Sequence, residues 1–478
     1  MRVKHVGLIL GPMAFMIMKL MSHPGALSPQ AWGVLALAAW MIIWWVTEAV
    51  PIPVTALLPM VCLPILGVVP MKAAAAPYAD PVVFLFMGGF MIAITMEKWN
   101  LHRRIALSIV NLTGTNANGI ILGFLLATAA LSMWISNTAT AVMMLPIGAS
   151  VIDLLTRGER KYAQSDIRNF AICMMLVIAY GANIGGTATL IGTPPNVVFS
   201  SILRNNHNIT VGFAQWLIIG IPFALAMLAV TYFMLVKVLF RNRLGSFEGG
   251  RKLIREELRK LGKISRGEGM IMTVFGLTAL AWIIQQPVLK ALGITVKDMD
   301  TLIAMTASIA LFVIPVDRKE DTRLLDWKDT ERLPWGILLL FGGGLSLANA
   351  LKEVGLIDLI GQTFQEAHLS GLWVILGLTA VSLFLTEIMS NVALVTVLVP
   401  VVGAIAVGMD MNPLYPCIPV TLAASCAFML PMSTPPNAIV FASGYLTIPQ
   451  MMRAGIWLNL VAIGLIGLLA KFGIPLIF

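Results

Sequence analysis

The chain has 478 residues, of which 58% are hydrophobic and only 12% charged, and its mean hydropathy is +0.89. Soluble domains carry about 25% charged residues, so this composition excludes a soluble globular protein and points to an all-α polytopic membrane protein. The formal net charge of +9 sits in loops flanking apolar segments, where it acts as an orientation signal rather than a nucleic-acid surface.

The opening Met1-Arg2-Val3-Lys4-His5, ahead of an apolar run at about 6–20, has the charge pattern of a signal peptide, but no small-x-small cleavage site follows between Met21 and Ser28. The run is therefore predicted to stay as a first helix. Further apolar segments lie at about 31–47, 51–69 and 82–97, the last closing on Glu97-Lys98-Trp99-Asn100. Leu101 to Leu112, carrying Arg103 and Arg104, is mixed in character, which suits a helix lying in the membrane interface. From Gly119 to Leu155 the chain is apolar but interrupted by Ser136-Asn137-Thr138. Each arm is short for a crossing of about 20 residues, so a re-entrant helical hairpin with the triplet at its tip is predicted.

Asn169 to Ile184, the break from Gly185 to Asn196 and a short continuation to Leu203 predict a discontinuous helix, and Phe213 to Phe240 another crossing. In Arg241 to Arg266, Leu253, Ile254, Leu258 and Leu261 recur at helical spacing opposite Arg251, Lys252, Arg255 and Arg259, the pattern of an amphipathic surface helix joining two halves. Crossings at about 269–286 and 300–315 follow, and the second half then replays the first. Phe341-Gly342-Gly343-Gly344 answers Phe86-Met87-Gly88-Gly89 at an offset of 341 − 86 = 255. Ser390-Asn391-Val392 answers the first triplet, and Pro400 answers Pro146, at 254. Ser433-Thr434-Pro435-Pro436-Asn437 answers Gly192-Thr193-Pro194-Pro195-Asn196 at 241. Four landmarks kept in order mark an internal repeat.

Basic residues set the expected orientation. With eleven crossings, two hairpins and the N-terminus in the cytoplasm, the inner side collects Lys98, Arg103, Arg104, Arg157, Arg160, Lys161, Arg168, the Lys and Arg of 237–266, Arg318, Lys319, Arg323, Lys328 and Arg332. The outer side keeps mainly Lys72, Arg204, Lys290, Lys297 and Lys352. This predicts a cytoplasmic N-terminus, an external C-terminus and an inverted repeat whose hairpins enter from opposite sides. Cys62, Cys173, Cys417 and Cys426 lie unpaired in apolar runs, and His5, His23, His102, His207 and His368 sit near segment ends, so neither a disulfide framework nor a metalloenzyme centre is expected.

A hairpin tip ends one half-helix and begins another, freeing carbonyls on the first and N–H groups on the second. Asn supplies an acceptor and a donor, Ser and Thr supply hydroxyls, and one tip can therefore offer oxygens to a small cation and donors to an anion. Neither triplet contains an acid, which fits sodium better than calcium. Thr193 and Thr434 are natural N-caps ahead of Pro194 and Pro435, and the positive ends of those half-helices suit an anion without Arg or Lys. Glu48 and Glu387, in or beside apolar runs, are either proton or cation sites or, more plainly, helix-end carboxylates bonded to backbone or water.

Trp45-Val46-Thr47-Glu48-Ala49-Val50-Pro51, the Ser-Asn-Thr tip and the two Thr-Pro-Pro-Asn motifs resemble the divalent anion/sodium symporter family, the INDY-like transporters of dicarboxylates and citrate, over essentially the whole chain. The resemblance implies a homodimer in the cytoplasmic membrane with elevator-type scaffold and transport domains. The corresponding division is scaffold 1–115 and 268–369, transport 116–245 and 370–478, and a linker helix 246–267. It further implies one sodium site from Ser132, Ser136, Asn137 and the Gly185 carbonyl, and a second from Thr386, Asn391 and the carbonyls of Met389 and Ser433. Substrate carboxylates would meet Asn137, Thr138, Asn391 and Thr434, with Pro194 and Pro435 shaping the helix starts. Val392 stands where the family pattern has Thr, which puts the substrate's identity in question.

The implied activity is sodium-coupled symport of a C4-dicarboxylate such as succinate, with a sodium-independent exchanger of di- or tricarboxylates as the sister reading and no organic cofactor. An intramembrane serine hydrolase would need a base beside Ser136 or Ser390, and neither apolar setting holds His or Lys. Deep neutral pockets at broken helices suit alternating access better than a channel.

Overall fold

The computed structural model describes residues 2–25, 27–114, 116–157, 163–245, 248–294, 296–317, 322–365 and 371–477. Arg160, Lys161, Arg318, Lys319 and His368, invoked above, lie outside these residues, as do the division points at 115, 246 and 369. The chain is nearly all helix; among the described residues the only sheet is an antiparallel ribbon pairing Pro315–Asp317 with Thr322–Arg323. Nine helices there are long and apolar enough to cross a membrane, and this is a multi-pass membrane protein.

Helix starts follow local chemistry. Ser28 accepts the N–H of Ala31 ahead of Pro29, and Asp80 accepts that of Val82 ahead of Pro81, opening Pro29–Thr47 and Pro81–Lys98. Ser265 and Glu268 form a reciprocal capping box that opens Arg266–Leu292.

One predicted crossing is not continuous. The 51–69 segment forms two short helices, Ile52–Thr55 and Leu58–Ile65, because Pro51, Pro53, Pro59 and Pro64 withdraw backbone donors and crowd the preceding turn. The interfacial segment is a helix, Leu101–Leu112, and its counterpart one repeat later, Leu356–Gln365, is a second short amphipathic helix that sequence reading missed.

The first helix–turn–helix runs Ala117–Ser132, turn, Asn137–Arg157, and the second Gly371–Leu385, turn, Asn391–Gly408. Each polar triplet is thus split: its Ser lies in the turn and its Asn begins the rising helix. The broken helices are Gln164–Thr187 with Pro194–His207, and Leu414–Ala424 with Pro435–Ala442. The first break is shorter than predicted, since Gly185, Gly186 and Thr187 remain helical. The repeats interlock: Pro435–Ala442 packs on the rising arm Asn137–Arg157, and Pro194–His207 packs on the rising arm Asn391–Gly408. The rings of Phe86 and Phe341, the repeated aromatic landmarks, meet edge to face at 5.0 Å.

The joining helix, Glu248–Lys260, lays Ile254 into the interior and leaves Lys252, Arg255 and Arg259 exposed. Arg103 pairs with Glu257 at 2.6 Å, and Arg104 pairs with Glu268, tying helix 101–112 to the joining segment. On another part of the molecule, Arg204 at the end of Pro194–His207 pairs with Asp80 and with Asp298 (2.5 Å), while Lys352 donates to the carbonyls of Asn205 and Asn206 at 3.0 and 2.8 Å.

Candidate functional site

The two turns are built alike. In the first, the Ser132 hydroxyl closing the descending helix donates to the Asn137 side-chain oxygen opening the rising one, at 2.7 Å. In the second, Thr386 donates to the Asn391 side-chain oxygen, also at 2.7 Å. Both pairs lie 254 residues apart, so the sequence repeat is a repeat of hydrogen bonding. Ser136 caps the rising helix by accepting the Ala139 N–H at 3.2 Å. The Ala424 carbonyl, 2.6 Å from the fully buried Thr386 hydroxyl, shares that hydroxyl's single proton with Asn391 and joins the second turn to the second broken helix.

The broken helices carry a second matched pair. Asn196 Nδ2 donates to the carbonyls of Gly186 and Thr189 at 3.3 and 2.8 Å. At an offset of 241 in donor and acceptors alike, Asn437 Nδ2 donates to the carbonyls of Ala427 and Leu430, both at 3.1 Å. Each Asn thereby ties the start of its half-helix back across the unwound stretch, satisfying carbonyls freed by the preceding helix end. Thr434 is a side-chain N-cap as predicted, accepting the Asn437 N–H at 3.3 Å. Thr193 makes no such bond, and there the predicted cap is absent.

One contact joins turn to break in both repeats with its chemistry exchanged. The Thr189 hydroxyl donates to the Met133 carbonyl at 2.5 Å. At the equivalent positions, the Leu430 N–H donates to the Glu387 carboxylate at 3.2 Å. The second unwound stretch, Ser425 to Thr434, is longer than the first, Ala188 to Thr193, and leaves more main-chain donors unmatched. Glu387, only 3% exposed, takes the N–H groups of Phe428, Met429 and Leu430, and the Asn459 amide at 2.8 Å. It is the backbone-bonded carboxylate of the plainer reading. Glu48 is an exposed C-cap paired with Lys4 at 3.1 Å.

The helix Gln164–Thr187, buried throughout from Phe170 onward, brings the parts together. A Cβ on Gly185 would strike the backbone of Ala129, and one on Gly186 would lie 2.7 Å from the Asn137 side-chain oxygen, so these glycines let the first turn settle directly on the helix. One turn earlier, Asn183 Nδ2 reaches the Ala427 carbonyl, the Thr434 hydroxyl and the Asn437 side-chain oxygen at 3.2, 3.1 and 3.2 Å. Tyr180 donates to the Phe428 carbonyl at 2.8 Å. Asn137 and Thr434 are therefore each one contact from successive turns of one helix.

Four helices begin at the predicted residues: at Asn137, Pro194, Asn391 and Pro435. Their free N–H groups and dipoles favour an anion. Ser132, Gly185, Thr386 and Ser433 are buried, and Asn137, Ser136, Met389, Asn391 and Pro194 half-buried. Thr138 and Pro435 are exposed, while Val392, the counterpart of Thr138, is buried. Asn183, Asn196, Asn437 and Asn459 escaped the sequence reading as functional residues. Two of them stood inside the repeated Thr-Pro-Pro-Asn motif, and their place at the 241 offset was the available signal. Among the described residues no three His, Cys, Asp or Glu side chains cluster as metal ligands, and the Glu387 carboxylate is one residue from Thr386.

A family model described as the sodium:sulfate symporter transmembrane region matches residues 2–478. The chain is 41% identical over 475 residues to the protein named sodium-dependent dicarboxylate transporter SdcS of Staphylococcus saprophyticus, covering 98% of this chain and 91% of that one. It is 40% identical to the protein of the same name from Staphylococcus aureus strain USA300, covering 99% and 91%. Among solved structures, Neisseria gonorrhoeae MtrF, described as illuminating a class of antimetabolite efflux pumps, aligns with a TM-score of 0.55 at 13% identity over 98% of this chain and 94% of that one. The Alcanivorax borkumensis YdaH transporter aligns with a TM-score of 0.54 at 12% identity over 84% and 87%. These two likenesses concern the fold alone.

Proposed function

Because the chain belongs to the sodium:sulfate symporter family, whose members are transporters rather than enzymes, we propose that it carries a C4-dicarboxylate such as succinate across the cytoplasmic membrane together with sodium. The observation that carries this reading is the doubled turn, Ser132 with Asn137 and Thr386 with Asn391, beside Asn183, which ties the helix under the first turn to the second Thr-Pro-Pro-Asn start. Sodium site 1 is assigned to Ser132, Ser136, Asn137 and the Gly185 carbonyl, and site 2 to Thr386, Asn391 and the carbonyls of Met389 and Ser433. The dianion is assigned to Asn137, Thr138, Asn391 and Thr434, beside Pro194, Pro435 and Val392. Two bound cations would offset its two charges and so couple the binding events.

The descending arms have 16 and 15 residues, about 24 Å at 1.5 Å per residue, short of a hydrocarbon core of about 30 Å. The rising arms, at 21 and 18 residues, are long enough to cross, contrary to the expectation that each arm is short. The short descending arms alone therefore support re-entrant hairpins, within a proposed inverted repeat of eleven crossings with a cytoplasmic N-terminus and an external C-terminus. The interlocked hairpins and broken helices support their moving as one transport unit, 116–245 with 370–478, against a scaffold of 1–115 and 268–369, in an elevator motion within a homodimer. The linker 246–267 joins the halves.

The test is uptake of labelled succinate into proteoliposomes with and without an inward sodium gradient. Uptake is expected to depend on the gradient; equal uptake in both conditions would remove symport and leave the sodium-independent exchanger. Val392→Thr is expected to alter affinity or preference across a panel of dicarboxylates and citrate. A restored hydroxyl is a donor worth roughly 1–3 kcal/mol to a desolvated carboxylate. Unchanged kinetics for every member of the panel would take Val392 out of the binding site.

A further inference from the structure

Away from the turns, a cleft of about 410 Å³ opens where three membrane helices begin or end: the N-terminal turns of Gln164–Thr187, the end of the segment running from Phe213 to Leu239, and the N-terminal turns of Ile448–Leu468. Arg168 and Arg453 line it from the two helix starts. Both are exposed, and among the described residues neither is paired with a carboxylate. Arg168 and Arg453 are the fifth and sixth residues of their helices, in the second turn, and add to the positive ends of those helices, so positive potential gathers at the cleft. Asp166, in the first turn two residues before Arg168, does not line the cleft, and among the described residues no carboxylate does. Gln450 spends its side-chain oxygen on the Thr447 N–H at 3.0 Å, which leaves its amide donors free. Ser165 and Asn169, the latter donating to the Arg241 carbonyl at 2.7 Å, also line the cleft, and Ile172, Leu239, Phe240 and Pro449 form an apolar side of the wall.

We infer that this cleft binds the phosphate group of an anionic phospholipid, with Arg168 and Arg453 as its charge partners and the apolar wall bordering the glycerol and first methylenes. Phe240 is followed in sequence by Arg241 and Arg243, and basic pockets between membrane helices meet anionic headgroups. Its apolar wall favours a phospholipid over a free anion. The inference draws on charge and shape alone and stands independently of the transported substrate.

The test is native mass spectrometry of the full-length protein released from detergent after incubation with equal amounts of phosphatidylglycerol and phosphatidylcholine. Phosphatidylglycerol is expected to be retained at least fivefold more than phosphatidylcholine. In the double variant R168Q/R453Q the preference is expected to fall to near parity with an unchanged thermal melt, and in R168K/R453K to survive in large part. Undiminished retention in the glutamine variant would overturn the site. Inorganic phosphate bound through these arginines, with phosphatidylglycerol retention indifferent to them, would overturn the assignment to lipid.

Discussion

Replacing Asn137 with alanine is expected to abolish most sodium-dependent uptake, and to shift what is left to sodium concentrations at least about tenfold higher. The Asn137 side-chain oxygen accepts the Ser132 hydroxyl and lies against Gly186. Alanine removes that oxygen, which is also the one assigned to the proposed first sodium site, and the amide donors proposed to meet the substrate. It also leaves the fully buried Ser132 hydroxyl without a partner. Each unmet buried group costs about 1–3 kcal/mol, and 1.4 kcal/mol is tenfold in affinity. The measurement is the sodium dependence of succinate uptake in proteoliposomes, with Asn391→Ala as the mirror variant. Full-rate uptake at unchanged sodium dependence in Asn137→Ala would take the first turn out of the ion path.

The two asparagines at the turns were legible in the sequence because a polar side chain inside a hydrocarbon-length apolar run has few ways to be satisfied, and a second copy 254 residues later removed the accidental reading. Proline and glycine placed the breaks for a similar reason, since their backbone effects are local. What sequence could not supply was which side chain faces which carbonyl across the molecule. Asn183 reads as one polar residue in a long apolar helix, yet it ties the first repeat to Thr434 and Asn437 of the second. The helix 356–365 went unseen because its likeness to 101–112 lies in amphipathic pattern, which diverges freely in letters, and not in a motif. The 51–69 segment was misread by hydropathy, which counts prolines as tolerable apolar residues and does not register the donors they lack. Thr193 looked like its counterpart Thr434, but capping depends on a side-chain rotamer that spacing does not fix.

Glu387 is where the repeats differ most in chemistry, and replacing it is expected to destabilise the fold more than any other change near the site. Its carboxylate receives three consecutive backbone N–H groups, those of buried Phe428 and half-buried Met429 and Leu430, and the buried Asn459 amide. In the first repeat the corresponding residue is Met133, because the shorter break there needs only the Thr189 hydroxyl bond to reach the turn. Glu387→Ala leaves three main-chain donors unmet inside a membrane protein, a loss of at least about 3 kcal/mol. That is a large share of a typical stability of about 5–15 kcal/mol. Glutamine is no conservative substitute, since its NH2 group would face donors where the carboxylate presented acceptors. Both variants are expected to give low yields and clearly lowered thermal melts in detergent, with any surviving uptake keeping the wild-type pH profile. A Glu387→Gln protein that melts like wild type but transports with a flattened pH dependence would instead identify Glu387 as a proton site. The distinction matters for coupling: a carboxylate held by the backbone of the second break fixes a negative charge beside Thr386, so the proposed second sodium site would gain attraction that the proposed first, with Met133 in that place, would not have.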